Sequence, residues 1–281
     1  MDNKEGMLVK VYISVDMEGI AGVVAWEQTS PEGRDYDRFR LLMTKEANAA
    51  VEGALAGGAT EVVVNDSHAN MRNIIPEELS PEARLISGSP KPMSMVEGLD
   101  GSYDAAFFIG YHARAGSPGV LSHTYSSTVM EFRVNGRPFG EVGMNAALAG
   151  AYGVPVALVA GDSSAVEEAR ELLGHLGPLG AVAVKRHVGR SAAASLHPER
   201  ARALIREAAA EAVRQSANIR PFIVEQPVRV ELRFSNSGLA DGAELMPGVV
   251  RVDGVTVAYE APDYPTALRA ARAMIALAGR A

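Results

Sequence analysis

Two carboxylates lie one residue apart, directly after an apolar run near the N-terminus. The stretch S-V-D-M-E-G places Asp16 and Glu18 behind the run 7–15, and Gly19 follows as a turn residue. If strand geometry continues, side chains at i and i+2 point to the same side, so the two charges lie together. Buried like charges repel, and one of them would have to take up a proton. A divalent cation removes that cost, so the pair predicts a metal site.

Three further groups of metal-ligand type occur later in the chain. His68 and His112 each follow an apolar run of strand character, and Glu141 lies at the exit of a hairpin. In a parallel sheet the carboxyl ends of the strands meet at one edge, where ligands bind. We therefore expect these side chains to converge on the two carboxylates.

The donor types indicate which chemistry such a site would perform. Two imidazoles and three carboxylates exceed the needs of one ion, and they suit zinc, with manganese, cobalt or iron as alternatives. Two ions that share one carboxylate fit the set better. Metals about 3.5–4 Å apart hold a water between them, lower its pKa to roughly 7 and polarise a carbonyl. The predicted chemistry is metal-dependent amide hydrolysis.

Taken singly, the same residues have plainer interpretations. Asp16 is a common turn residue, Glu18 a solvated charge, His68 a loop residue beside a helix cap, and His112 a hydrogen-bonded core histidine. Only their joint pattern favours a metal site.

A further histidine, His123, lies in the Ser/Thr-rich segment L-S-H-T-Y-S-S-T. It is either an exposed loop residue or an acid/base or oxyanion stabiliser close to the metals. Asp162 follows another strand, but G-D-S-S-A-V-E-E is also a good helix start, and we interpret this residue as a helix cap. The other three histidines are interpreted as surface residues: His175, His187 and His197.

Strands that alternate with helices must position these groups. The predicted strands are 7–15, 61–64, 104–110 and 154–161, and the predicted helices are 35–57, 144–152, 163–175 and 198–215. This alternation predicts an α/β fold with a mostly parallel sheet between two layers of helices. The pair Asn135-Gly136 predicts the turn of a hairpin at 128–142.

The pattern of apolar and polar residues changes near residues 216–222. The elements predicted beyond that point are strands at 227–234 and 249–260 and a helix at 264–279. They predict a second, smaller α+β domain at 217–281, involved in oligomerisation, after a catalytic domain at 7–216. The hairpin at 128–142 could belong to either unit, and the hairpin region 117–150 is expected to pack with the second domain.

Composition excludes several classes of protein. The net charge of -7 over 281 residues argues against a nucleic-acid partner, because phosphate binding needs a basic face. No apolar stretch reaches the roughly 18–20 residues of a membrane span. The absence of cysteine excludes thiolate metal sites, so His and carboxylates must hold any metal. The N-terminus shows no apolar signal-peptide core, and a cytoplasmic location is expected.

Five separated segments resemble the zinc-dependent D-aminopeptidases of the dipeptide-operon (DppA) type. They are S-V-D-M-E-G, N-D-S-H-A-N-M-R-N, I-G-Y-H-A-R, S-H-T-Y and G-E-V-G-M-N-A, in the same order as in that family. The resemblance covers nearly the whole chain and is weakest beyond residue 216.

This resemblance implies a dinuclear zinc site, a reaction and an assembly. The implied ligands are Asp16, Glu18, His68, His112 and Glu141. Asp16 would bridge the ions, and His123 matches the family's catalytic histidine. The implied substrates are short peptides with an N-terminal D-residue, D-alanine preferred, and the implied assembly is a ten-subunit ring of two stacked pentamers around an internal chamber. The candidates for substrate binding are Asn70, Arg114 and Asn145.

Two other functions remain open from the residues. A magnesium-dependent phosphotransfer enzyme would use Asp16 as its nucleophile, but the Thr that usually follows such a motif is missing, and the histidines would have no role. A non-catalytic dipeptide-binding protein associated with transport would bind peptides without cleaving them. Metal analysis separates the first alternative, and a cleavage assay with and without chelator separates the second.

Overall fold

The computed structural model describes residues 8–280. Met7, at the start of the first predicted strand, and Ala281, at the end of the predicted second domain, lie outside this range. The strands are β1 (Lys10–Val15), β2 (Glu61–Asp66), β3 (Ala83–Ile86), β4 (Ala105–Tyr111), β5 (Val129–Val134), β6 (Arg137–Pro138), β7 (Val156–Asp162), β8 (Gly180–Gly189), β9 (Ala192–Ser195), β10 (Val228–Phe234), β11 (Val250–Arg251) and β12 (Thr256–Ala261). The helices are α1 (Tyr36–Gly57), α2 (Glu141–Ala151), α3 (Ser163–Leu173), α4 (Pro198–Gln215), α5 (Ser237–Glu244) and α6 (Tyr264–Ala278).

The first sheet has the strand order β3-β2-β1-β4-β7-β8-β9, and only β9 runs antiparallel to its neighbour. Strand β1 lies between β2 and β4, with Val15 level with Asp66 and Ile109. The three strands that precede the predicted ligands are therefore neighbours, and their carboxyl ends lie level at one edge.

Both faces of this sheet are buried, which explains the nearly continuous apolar runs of its strands. Val11 and Ile13 contribute to a core with the helices α1 and α4. Tyr12 points to the opposite face, where it joins a core that includes Phe108 and residues of α2, α6 and the second sheet. The predicted α/β class with a mostly parallel sheet is confirmed.

The second sheet is antiparallel and has the order β11-β12-β10-β5-β6. The predicted hairpin turns at Asn135 and Gly136, which both adopt positive φ as a two-residue turn requires. Its strand β5 pairs with β10, so the hairpin joins the sheet of the C-terminal strands. The division of the chain into two domains stays a prediction.

The structure also contains elements that the sequence did not predict. Strands β3, β8 and β9 and helix α5 lie in regions interpreted as loops or left unassigned. Helix α2 begins at Glu141, three residues before the predicted start, so Glu141 is the first residue of a helix rather than a residue of a hairpin exit. The cap assigned to Asp162 is confirmed, since its side chain accepts the backbone N–H of Ser164 at 2.8 Å.

Within residues 8–280, no helix is both long enough and apolar enough to span a bilayer.

Candidate metal centre

The first ligand pair is carried by residues 16–23, which we call the carboxylate loop. Asp16 N–H donates to the carbonyl of Ile109 at 2.8 Å, and Gly19 N–H donates to that of Gly110 at 2.7 Å. A Cβ on residue 19 would lie 2.0 Å from the carbonyl oxygen of Tyr111. Only glycine therefore allows the loop to lie directly against the end of β4, and this contact brings the carboxylates toward the next strand.

His68 is positioned by a loop that folds back on the end of β2. The carboxylate of Asp66 accepts the backbone N–H groups of Asn73 and Ile74, at 2.5 and 2.7 Å. Ser67 N–H donates to the carbonyl of Val15 at 2.8 Å, which ties this loop to β1. Among the described residues no helix begins here, so Asp66 organises the loop rather than capping a helix.

The five predicted ligands lie together in the structure, and we call them the five-residue cluster. His68 Nδ1 is 2.9 Å from Glu18 Oε2 and 3.2 Å from Asp16 Oδ1. His112 Nε2 is 3.4 Å from Asp16 Oδ2 and 3.2 Å from Glu141 Oε2. All five residues are buried, none more than 6% exposed. Asp16 therefore lies between two groups of ligands, with one oxygen directed at each.

The histidine rings are held by backbone carbonyls. In each ring one nitrogen lies against a carbonyl oxygen, where it donates a hydrogen bond, and the other nitrogen faces the carboxylates. Such a bond fixes the tautomer and directs the free lone pair, as is usual for histidines that bind metals. The three pairs, all at 2.9 Å, are His68 Nε2 with Thr29, His112 Nδ1 with Ala113, and His123 Nδ1 with Leu121.

Electrostatics in the cluster follow from its burial and its three carboxylates. Burial and the neighbouring Glu18 raise the pKa of Asp16 to about 7. Burial opposes the charge of His112, but the adjacent Glu141 outweighs it and raises the pKa of His112 to about 10. Burial would likewise raise the pKa of Glu141, yet His112 lowers it to about 2. Without a metal, protonated imidazoles therefore balance the carboxylates, and a bound cation must displace these protons.

The residues present fit a transition metal. Asp16 Oδ2 and His112 Nε2 are buried and have no hydrogen-bond partner among residues 8–280. Two triads have ligand atoms within 4.8 Å of one another: Asp16, Glu18 and His112, and His112, His123 and Glu141. Buried imidazole and carboxylate donors without partners are costly, and zinc is the ion that such a mixed set suits.

His123 lies beside the cluster. Its ring stacks on that of His112 with centroids 4.2 Å apart and planes at 3°, and Trp26 contacts it edge-on at 5.2 Å. Its Nε2 is 4.0 Å from Glu18 Oε1, and its side chain is only 14% exposed. The alternative of an exposed loop histidine is therefore wrong. Burial and the positive His112 lower the pKa of His123, so its Nε2 is free to accept a proton at neutral pH.

A cavity of about 560 Å³ opens above the cluster, a volume typical of small-ligand sites. The carboxylates and imidazoles in its lining include Asp16, Glu18, His68, His123 and Glu141. Its apolar walls include Trp26, Met71, Met95 and Tyr125.

The three predicted substrate-binding residues do not line this cavity. Asn70 accepts the backbone N–H of Arg72, and Arg114 lines a separate cavity. Asn145 is buried and donates to the hydroxyl of Tyr111 at 2.8 Å. Their role in substrate binding stays a prediction.

Two residues at the site were missed by sequence reasoning. Trp26 follows a run without strand or helix periodicity, and nothing in the sequence places it beside His123. Lys185 lies on β8, which was not predicted, and its ammonium contacts the carboxylate loop. A lysine within the apolar run A-V-A-V-K was the available signal, because a lysine inside a buried strand needs a partner.

Comparisons with known proteins agree on one family. A family described as D-aminopeptidase, peptidase family M55, matches residues 9–273. A D-aminopeptidase of Bacillus subtilis (strain 168) is 44% identical over 273 residues, which cover 97% of this chain and 98% of that protein. A solved structure, described as the Zn-dependent D-aminopeptidase DppA from Bacillus subtilis, a self-compartmentalizing protease, superposes with a TM-score of 0.93. It is 44% identical and covers 97% of this chain and 99% of its own.

The family match spans nearly all of the described residues, and it agrees with the resemblance predicted from five short segments. The fold of the solved structure also matches that of this chain. This chain is a member of the D-aminopeptidase family.

Proposed function

We propose that this protein is a zinc-dependent aminopeptidase that releases N-terminal D-residues such as D-alanine from short peptides. The five-residue cluster would hold two zinc ions, and Asp16 would contribute a carboxylate oxygen to each of its two ligand groups. The observation that carries the proposal is the convergence of these five buried side chains below one cavity. Family membership and a Zn-dependent relative with 44% identity support the reaction and the metal.

The two ligand groups divide around Asp16. Its Oδ1 faces His68, which lies beside Glu18, and its Oδ2 faces His112, which lies beside Glu141. Because both oxygens are directed at different histidines, one carboxylate serves both groups. This arrangement supports two ions rather than one.

The chemistry then divides between the metals and the protein. Zinc bound at the cluster supplies Lewis-acid polarisation of the peptide carbonyl and of water. His123 lines the cavity and has a lowered pKa, so it moves a proton at Nε2, and its hydrogen bond to the carbonyl of Leu121 keeps the ring in place. Trp26 packs edge-on against this ring and forms part of the cavity wall.

The phosphotransfer reaction fits the site less well than zinc-dependent hydrolysis does. Magnesium prefers oxygen ligands and retains several waters, whereas His68 and His112 present nitrogen atoms to the carboxylates. A peptide carrier is distinguished by its lack of cleavage.

The test compares matched dipeptides. We expect zinc-loaded protein to cleave D-Ala-L-Ala on the order of 100-fold faster than L-Ala-L-Ala, because a misplaced methyl group in a shaped pocket costs up to about that factor. A chelator should abolish cleavage, and added zinc should restore it. Equal rates for the two dipeptides would contradict the D-preference, and binding without cleavage would support the carrier.

Assembly and location extend the proposal. The relative described as self-compartmentalizing supports a closed homo-oligomer around an internal chamber, of ten subunits in the form that we propose. A solution mass well below ten times 29.6 kDa would be evidence against that number. The cytoplasmic location stays a prediction.

A further inference from the structure

A buried lysine outside the five-residue cluster reaches the backbone of the carboxylate loop. Lys185 is 2% exposed, and its Nζ donates to the carbonyl of Glu18, to that of Ile20 at 3.1 Å and to that of Val23 at 2.7 Å. An ammonium has three N–H donors, and all three are used on this one loop. The loop therefore turns three carbonyls toward a single point.

The hydrogen bonds of this lysine offset the cost of burying it. A buried ammonium is costly unless its N–H donors are satisfied, and here the three loop carbonyls accept all of them. The lysine and the three carbonyls therefore depend on one another.

The backbone of β8 explains how a lysine comes to lie inside. Gly161 of β7 pairs with Ala183, but the next residue, Asp162, pairs with Lys185. The register shift leaves Val184 as an extra residue, and Val184 and Lys185 are consecutive and both buried. Regular alternation would have placed one of them at the surface.

Other side chains accept hydrogen bonds from the backbone N–H groups of the same loop. Glu46 of α1 is buried, and its Oε1 accepts the backbone N–H of Ala21 at 2.9 Å. Ser195 Oγ accepts the N–H of Gly22 at 2.8 Å. The loop is thus held through its carbonyls by one element and through its amides by others.

We propose that Lys185 and Glu46 are positioning residues for the metal centre, which fix the backbone of the carboxylate loop so that Asp16 and Glu18 present their carboxylates to the metals. This inference rests on the proposed function. Neither residue is a metal ligand. Each contributes to metal affinity by fixing the geometry of the loop that carries two of the ligands.

The test measures zinc affinity in variants of the whole protein. Lys185→Met keeps most of the side-chain volume but leaves three carbonyls without donors, and Glu46→Ala leaves the Ala21 amide without an acceptor. Glu46→Gln keeps an acceptor and is the conservative variant. The matched control is Leu268→Ala. It shortens a buried side chain of α6 and destabilises the fold without touching the loop.

Zinc affinity is measured by competition with a chromogenic chelator, and ligand geometry by the visible absorption of the cobalt-substituted protein. We expect Lys185→Met and Glu46→Ala each to weaken zinc binding about 10-fold or more and to alter the cobalt spectrum, since groups that orient metal ligands typically contribute 10–100-fold. Glu46→Gln and Leu268→Ala should stay within about twofold of the parent protein, because they leave the loop's hydrogen bonds in place.

The outcomes separate this inference from the proposed function. If the parent protein binds no zinc, the proposed function fails. If the parent protein binds zinc and both loop variants match it in affinity and spectrum, the positioning role is wrong. It is also wrong if Leu268→Ala weakens zinc binding as much as they do. Should Lys185→Met fail to fold, the comparison of Glu46→Ala with Glu46→Gln decides.

Discussion

Replacing His112 by alanine is expected to remove zinc and peptidase activity together. Its Nε2 lies between Asp16 and Glu141, 3.4 Å from Asp16 Oδ2 and 3.2 Å from Glu141 Oε2. Groups that merely orient a ligand contribute about 10–100-fold to metal affinity, so loss of a direct ligand should cost at least about 100-fold. Elemental analysis after gel filtration should therefore show fewer zinc ions per chain than in the parent protein, and turnover should fall with them.

The matched control for this substitution is His175→Ala. His175 is exposed and lies after α3, away from the cluster, so the same change of side chain should leave zinc content and turnover as they are. A His112→Ala protein with the zinc content and turnover of the parent would show that His112 is not a ligand.

Replacing His123 by alanine should give the opposite combination, with zinc retained and turnover lost. The five-residue cluster remains intact in this variant, so zinc content should stay at the value of the parent protein. The proton-transfer group at Nε2 is removed, and such groups typically contribute about 10²–10⁴ to the rate. We therefore expect kcat to fall by on the order of 10²–10⁴.

A second variant tests how His123 acts. His123→Gln leaves a polar side chain but no group that titrates near neutral pH, so it should be nearly as slow as His123→Ala. Near-normal turnover in either variant would exclude a proton-transfer role. A loss of zinc in parallel with activity would instead assign His123 to the ligands, as its place in one of the two triads of ligand atoms also permits.

Much of this site was predictable because three of its elements obey simple rules. Short β-branched runs indicated buried parallel strands, and the carboxyl ends of such strands meet at one edge. Asp16, His68 and His112 follow neighbouring strands, and the structure places the carboxylate of Asp16 3.2 Å from His68 and 3.4 Å from His112. The pairing of Val15 with both Asp66 and Ile109 is what makes the convergence close.

Other features depend on local geometry that leaves no pattern in the sequence. Glu141 was assigned to a hairpin exit, yet it begins α2, because Gly140 adopts an extended conformation and its N–H is bound by Glu168 from another helix. Lys185 is turned inward by a register shift of one residue, which alternation of apolar and polar residues does not reveal. Both depend on contacts between segments that are far apart in the chain.

The resemblance to a known family supplied what spacing alone did not. The residues indicated two ions and an amide hydrolase, whereas the preference for D-residues came from the resemblance alone. Stereochemical preference depends on the shape of the cavity walls, to which Trp26, Met71 and Tyr125 contribute from three separate segments. The spacing of these residues along the chain carries no such information.

The central claim, that the five-residue cluster holds a pair of ions, is tested most directly by diffraction from zinc-loaded crystals on both sides of the zinc absorption edge. We predict two anomalous peaks in each subunit, one between Asp16 and His68 and the other between Asp16 and His112. A map with a single peak or no peak at this sheet edge, from crystals of protein that hydrolyses peptides, would contradict the account.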